Sequence, residues 1–207
     1  MSYDCIVCIK QVPDTGNITG QAMKEDGTVN RAALPTIFNP EDLNALEAAL
    51  ELRERFGGTV TAITMGPPAA GEVLRECLYR GADRVILLTD RRAAASDTLA
   101  TSYILSRAIR TIGRYDFVFC GRQAIDGDTA QVGPQLAEKL GIPFLGAVPL
   151  HIDIRALSDA GKPIVATEPD SVHAQVFREI AAKAWAEVLA SEGKRPVPPT
   201  LTSVDGG

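Results

Sequence analysis

From Asp4 to Leu140 the chain alternates between short apolar runs and stretches of helical periodicity, and this alternation limits the possible folds more than any other feature. Asp4 to Ile9 reads as a buried strand, followed by Thr59 to Thr64, Val85 to Thr89, Phe117 to Cys120 and Phe144 to Val148. Helical patterns fill the intervals: Pro40 to Arg55, Ala70 to Arg80, Asp97 to Ile112 and Gln131 to Leu140. Strand and helix in regular succession predict right-handed βαβ units, hence an α/β fold with a parallel sheet covered on both faces. Residues 11–37, rich in Gly, Asn, Asp and Pro, read as a long excursion with a hairpin around Glu25-Asp26-Gly27.

Local chemistry supports these boundaries. Asn39 is a good N-cap, Pro40 suits the first helical position, and Glu41 and Asp42 complement the positive end of the helix dipole. Leu43, Leu46, Ala49 and Leu50 then repeat at helical spacing until Gly57-Gly58 ends the pattern. A last helix is expected from Ser171 to Leu189, packed by Trp185, and residues 191–207 read as a disordered, proline-rich tail.

Composition removes several function classes. With 21 basic against 26 acidic residues the net charge is −5, and no stretch offers the basic face of a phosphate-neutralising nucleic-acid binder. The longest apolar runs, such as Cys5 to Ile9, fall far short of the roughly 20 residues a bilayer requires, so no membrane insertion is expected. No basic segment precedes the first apolar run, as a secretory signal would require. The four cysteines, 5, 8, 77 and 120, lie in apolar contexts. Cys5 and Cys8 have C-x-x-C spacing, yet no second pair completes a metal site, and all four read as core thiols in a reducing cytoplasm.

In parallel sheets ligands sit beyond the carboxyl ends of the strands, which directs attention to Cys8–Asp14, Met65–Pro68, Thr89–Thr98 and Cys120–Thr129. The segment Gly121-Arg122-Gln123-Ala124-Ile125-Asp126-Gly127-Asp128-Thr129-Ala130-Gln131 leaves a strand and enters a helix, where free backbone N–H groups attract phosphate. Gly121 and Gly127 allow close approach, Arg122 can balance a diphosphate, and Thr129 or Gln131 can bond ribose or phosphate. Asp126 and Asp128 suit a capped turn or sugar hydroxyls better than an anion, and a capped loop without ligand explains the same pattern. Asn39 and the pair Asp97-Thr98 have the same two readings, helix capping or a place at the crevice.

Catalytic signatures are missing. His151 and His173 have no neighbours suggesting a triad or metal site, and His173 reads as a surface or half-buried helical residue. Neither G-x-x-x-x-G-K-[ST] nor G-x-G-x-x-G occurs after the first strand. The residues describe a binding scaffold without acid–base machinery: catalytic residues none, metal ligands none.

Cys5 to Lys10 with Gln11-Val12-Pro13, Phe38-Asn39-Pro40, Met65-Gly66-Pro67, Leu78 to Arg84, Asp97 to Ser102 and Gly121 to Gln135 together resemble the β subunit of electron transfer flavoproteins over residues 1–142. The run Ala124 to Gln135 is similar to the Fix and electron-bifurcating branch, whereas Arg91 to Ser96 departs from that branch's usual aromatic and glycine. The resemblance implies the family's adenine-nucleotide α-hydrolase-like parallel sheet, a heterodimer with an α subunit, a dehydrogenase as redox partner, and an adenine nucleotide held here. That nucleotide is AMP in the ordinary branch and a second FAD, which meets NADH, in the bifurcating one. Carried over by position, the cofactor-binding residues are Cys8, Asn39, Pro40, Glu41, Asp42, Met65, Gly121 to Gln131 as spelled above, and Val132; Asp97, Thr98 and Thr101 line the flavin side in the bifurcating branch. Redox chemistry then belongs to the flavin, and the chain is an electron-carrier subunit rather than a stand-alone enzyme.

Past Leu140 this resemblance is expected to stop. Gly141 to Leu150, Ile154-Arg155, Ser158 to Val165 and Phe177 to Ile180 instead resemble the C-terminal end of the Mrp family of P-loop ATPases, which carry iron–sulfur clusters. The nucleotide loop and cluster cysteines of that family are missing, so neither activity carries over. The expected organisation is a nucleotide-binding region over 1–142, a strand–helix extension over 143–190 packed on the same sheet, and a tail over 191–207. The rival readings are an Mrp-type relative and a redox-inactive nucleotide-binding hybrid.

Overall fold

A computed structural model describes residues 2–14, 34–143, 145–146, 148–149 and 151–191. Contacts divide these into one unit within Met1–Gly141 and another within Ile142–Pro196.

The first unit is built on a four-stranded parallel sheet of β1 (Cys5–Cys8), β4 (Val60–Met65), β5 (Arg84–Leu88) and β6 (Phe117–Cys120). Two three-residue strands, β2 (Gln11–Pro13) and β3 (Thr36–Phe38), pair antiparallel beside it. The helices are α1 (Pro40–Phe56), α2 (Gly71–Arg80), α3 (Thr98–Ile112) and α4 (Val132–Leu140). Spatial order in the sheet is β5-β4-β1-β6. β4 and β5 therefore extend to one side of β1, and the chain then crosses back to lay β6 on the other side. The crossover opens a crevice beyond the carboxyl ends of β1 and β6, where a topological switch point exposes strand ends to ligand.

Strand periodicity sorts the core into two layers. Cys5, Val7, Val60, Ala62 and Phe119 face one side and pack with Leu46, Ala49 and Leu50 of α1 and Val73, Leu74 and Cys77 of α2. Ile6, Cys8, Ile63, Val118 and Cys120 face the other and pack with Leu105 and Ile109 of α3 and Leu136 of α4. Alternate residues pointing to opposite faces is the period-2 rule of an extended chain, and both faces are apolar because helices cover both. Gly58 has a required role: its φ is +111°, and a Cβ there would overlap the Tyr3 carbonyl.

The second unit is helical among its described residues: α5 (Ile152–Asp159), α6 (Ile164–Thr167) and α7 (Val172–Ser191). The strand expected over Phe144–Val148 is not formed at Leu145, Gly146 or Val148, and its other two residues lie outside the described ones. Pro143 and Pro149 flank the segment and remove ladder donors at both ends. The hairpin expected around Glu25-Asp26-Gly27 and the tail beyond Ser191 also lie outside the described residues. His173 is half-buried, its ring 4.2 Å from that of His151, whereas Trp185 keeps 45% of its surface open. No described helix is long and apolar enough to cross a membrane.

Candidate functional site

A cleft of about 780 Å³ lies at the carboxyl ends of β1, β4, β5 and β6. Its floor holds Cys8 and Cys120, the last residues of β1 and β6. One wall is apolar, formed by Ile9, Ile63, Met65, Leu88 and Leu105. The opposite rim is the polar loop between β6 and α4.

Asn39 departs from its expected role. It precedes α1, but its side chain caps nothing. Fully buried, it donates from Nδ2 to the Gln123 carbonyl at 2.9 Å and accepts from the Ile125 N–H at 3.2 Å through Oδ1. An amide offers a donor and an acceptor together, so one side chain satisfies two peptide groups of the β6–α4 loop. Asn39 thus shapes the cleft from behind without lining it, and Pro40 and Glu41 likewise do not line it.

Asp42, in the first turn of α1, does reach the cleft. Its Oδ2 accepts from the Lys10 N–H at 2.8 Å. Burial pushes its carboxyl up to about 6, against the pull of Asn39, the Lys10 and Gly121 N–H groups and the Lys10 charge. Gly121 passes so close that a Cβ there would overlap the Asp42 carboxylate and approach the Glu41 carbonyl carbon at 2.7 Å. The exit of β1, the start of α1 and the exit of β6 are therefore tied at a single point.

The two puzzling aspartates separate. Asp126 leaves the cleft and pairs with Lys10 Nζ at 2.7 Å, while Asp128 stays in the lining and accepts from Gln123 Nε2. Ile125 is also outside the lining, whereas Arg122, Gln123, Ala124, Gly127 and the run Thr129 to Val132 are in it. Arg122 bonds Glu41 at 3.1 Å across the rim, so its charge is already partly met. Asp128 and Ala130 have φ near +50°, as does Ala95 on the facing loop. These are the non-glycine residues with left-handed backbone among those described, and all three border the cleft, where strained conformations tend to collect at functional sites.

Both helices that open into the cleft present N-termini to it. Asp97 caps α3 by accepting from the Ala100 N–H at 2.8 Å, and Asp97, Thr98 and Thr101 all line the cleft. No side chain caps α4, and Val132 and Gly133, which carry the N–H groups at its start, both line the cleft, whereas Pro134 has none and Gln135 bonds the Gln131 carbonyl. Charge in the lining is mixed: Lys10, Arg91 and Arg122 against Asp42, Asp90, Asp97 and Asp128.

The residues carried over by position omit Lys10, Ile63, Leu88, Arg91, Leu105 and Cys120 from the lining, although the strand-end loops already bracket Lys10, Arg91 and Cys120. Leu88 ends β5, one residue before the loop singled out from Thr89. Leu105 lies mid-helix, and only the packing of α3 against the sheet brings it to the cleft.

The sequence pattern of the electron transfer flavoprotein domain matches residues 26–192. The chain belongs to the electron transfer flavoprotein family. Its relatives include protein FixA of Bradyrhizobium diazoefficiens, 50% identical over 176 residues, covering 83% of this chain and 59% of that one. The β subunit of the electron transfer flavoprotein of Clostridium acetobutylicum is 54% identical over 138 residues, 67% of this chain and 52% of its own length. The electron transfer subunit gamma of acryloyl-CoA reductase from Anaerotignum propionicum is 55% identical over 139 residues, 66% of this chain and 51% of that one. The chain thus groups with Fix-type β subunits, and it spans little more than half the length of these relatives. The flavoprotein match runs on to 192, past the 142 at which the resemblance was expected to stop, and the Mrp likeness of the C-terminal part gains no support.

Proposed function

We propose that this chain is the nucleotide-holding part of an electron transfer flavoprotein β-like subunit. It binds AMP or FAD in the cleft and, with an α subunit, passes electrons from a dehydrogenase or NADH to an acceptor in the cytoplasm. The observation that carries this reading is the cleft itself. It combines an apolar wall for a planar ring, an uncapped α4 N-terminus for phosphate, and a glycine, Gly121, whose missing Cβ lets the loop close on Asp42. Its volume of about 780 Å³ lies within the range of about 300–1,000 Å³ typical of cofactor pockets.

In this assignment Ile63, Met65 and Leu105 flank the ring, Thr129 and Gln131 bond ribose or phosphate, and the first N–H groups of α4 meet the phosphate charge. The flavin, when bound, supplies the electron-carrying chemistry. The protein contributes orientation and exclusion of water. Asn39 holds the loop in place, and mixed rather than net positive charge in the lining favours binding through backbone N–H groups over bulk attraction.

The test is to produce the chain with its cognate α subunit, denature the complex and identify the released nucleotides. Two FAD support the bifurcating branch, and one FAD with AMP the ordinary one; neither nucleotide rejects the reading in favour of a redox-inactive hybrid. Thr129→Val removes a hydroxyl from the rim and should weaken nucleotide retention by about tenfold, the worth of one hydrogen bond. Unchanged retention would exclude Thr129 as a contact.

A further inference from the structure

The C-x-x-C spacing pairs the wrong cysteines. Three residues along a strand place Cys5 and Cys8 on opposite faces, Cys5 in the layer under α1 and Cys8 in the layer under α3. The neighbour of Cys8 is Cys120, directly beside it in the β1–β6 register and on the same face. Each ends its strand, each is a free thiol, and both line the cleft. Adjacent strands lie about 4.8 Å apart, within the Cα separation of about 4.4–6.8 Å that a disulfide accepts.

We propose that Cys8 and Cys120 form a redox-active dithiol at the floor of the cleft, converted by peroxide into a disulfide that joins the ends of β1 and β6. One sulfur attacks a peroxide oxygen; the O–O bond breaks, giving a sulfenic acid and one water. The second sulfur attacks the sulfenic sulfur, the S–S bond forms, and hydroxide leaves with the second thiol proton as another water. Two thiols lose two electrons and two protons, and hydrogen peroxide is reduced to two waters. The Cys120 side chain beside it and burial hold the Cys8 thiol well above its ordinary range, so the thiolate that reacts becomes more abundant as pH rises. Cys5 and Cys77 are closed off, at 1% and 0% exposure, which keeps them out of the reaction. The inference does not depend on nucleotide binding.

The experiment treats the reduced full-length chain with hydrogen peroxide, blocks remaining thiols under denaturing conditions, and maps tryptic peptides by mass spectrometry. The expected product is a peptide pair linked through Cys8 and Cys120, with Cys5 and Cys77 blocked, and a formation rate rising about tenfold or more between about pH 7 and 9. Phenylarsine oxide, which bonds two neighbouring sulfurs and releases water, should bind once per folded chain and protect both cysteines from blocking. This second readout requires no variant. The inference is overturned if Cys8 and Cys120 stay reduced, if each oxidises alone, or if the linked peptide contains Cys5 or Cys77. It is likewise overturned if the arsenical fails to protect the pair.

Discussion

Asp42 carries an unusual burden for a carboxylate, since it is 6% exposed and shares its surroundings with Cys8 and Cys120 as well as with Lys10 and Gly121. The folded chain keeps its proton up to about pH 6, whereas an ordinary aspartate releases it near 3.8. The native state therefore binds more protons between these values, and stability must fall as pH rises through that window, then level off above it. At about 1.4 kcal/mol per pH unit, the loss is about 3 kcal/mol. Asp42→Asn should abolish this slope while also losing one acceptor for a backbone N–H, so the readout is the pH dependence of urea unfolding rather than its level. An equal slope in both proteins would show that Asp42 does not titrate there. Gly121 gives a sharper steric test. Gly121→Ala places a methyl group on the Asp42 carboxylate and the α1 backbone, and should cost about 1–3 kcal/mol or prevent folding. Gly127→Ala, with nothing within 4 Å of its Cβ, should leave the thermal midpoint nearly unchanged.

Among the elements, α3 shows how pattern becomes energy. Its apolar stripe seats Leu105 and Ile109 against Ile6, Ile63 and Leu136, and Ile109 is wholly buried. Ile109→Ala should destabilise the chain by about 2–5 kcal/mol in urea unfolding. Leu99→Ala, on the same helix but 56% exposed, should change stability by less than about 0.5 kcal/mol. The four parallel strands and the helices α1 to α4 were legible because each has enough residues for its period to repeat. The pair β2 and β3 was not: each is three residues long, Pro13 cannot donate to a ladder, and its partner lies beyond more than twenty intervening positions. Helix α5 escaped notice because Ile152, Ile154 and Leu157 offer little more than one turn of periodicity.

At the scale of the whole molecule, the order β5-β4-β1-β6 opens a crevice at the ends of four ordinary strands, and that order is invisible to any local pattern. The family match over 26–192 takes in residues of both units into which contacts divide the described chain at Gly141. Sequence alone determined the α/β class, the strand-end loops and the motif-bearing segment from Gly121 to Val132, because these depend on composition and on short periods along the chain. It also placed Asn39 and Asp42 with the loop between β6 and α4, through resemblance rather than through physics. Only the tertiary structure decided that Asn39 supports the loop instead of capping α1, that Asp126 answers Lys10 while Asp128 faces the cleft, and that Cys8 lies beside Cys120 rather than on the face of Cys5. The physical reason is common to all three. Hydrogen bonds, ion pairs and thiol contacts depend on distance in space, and the crossover that sets β6 beside β1 brings together residues more than eighty positions apart.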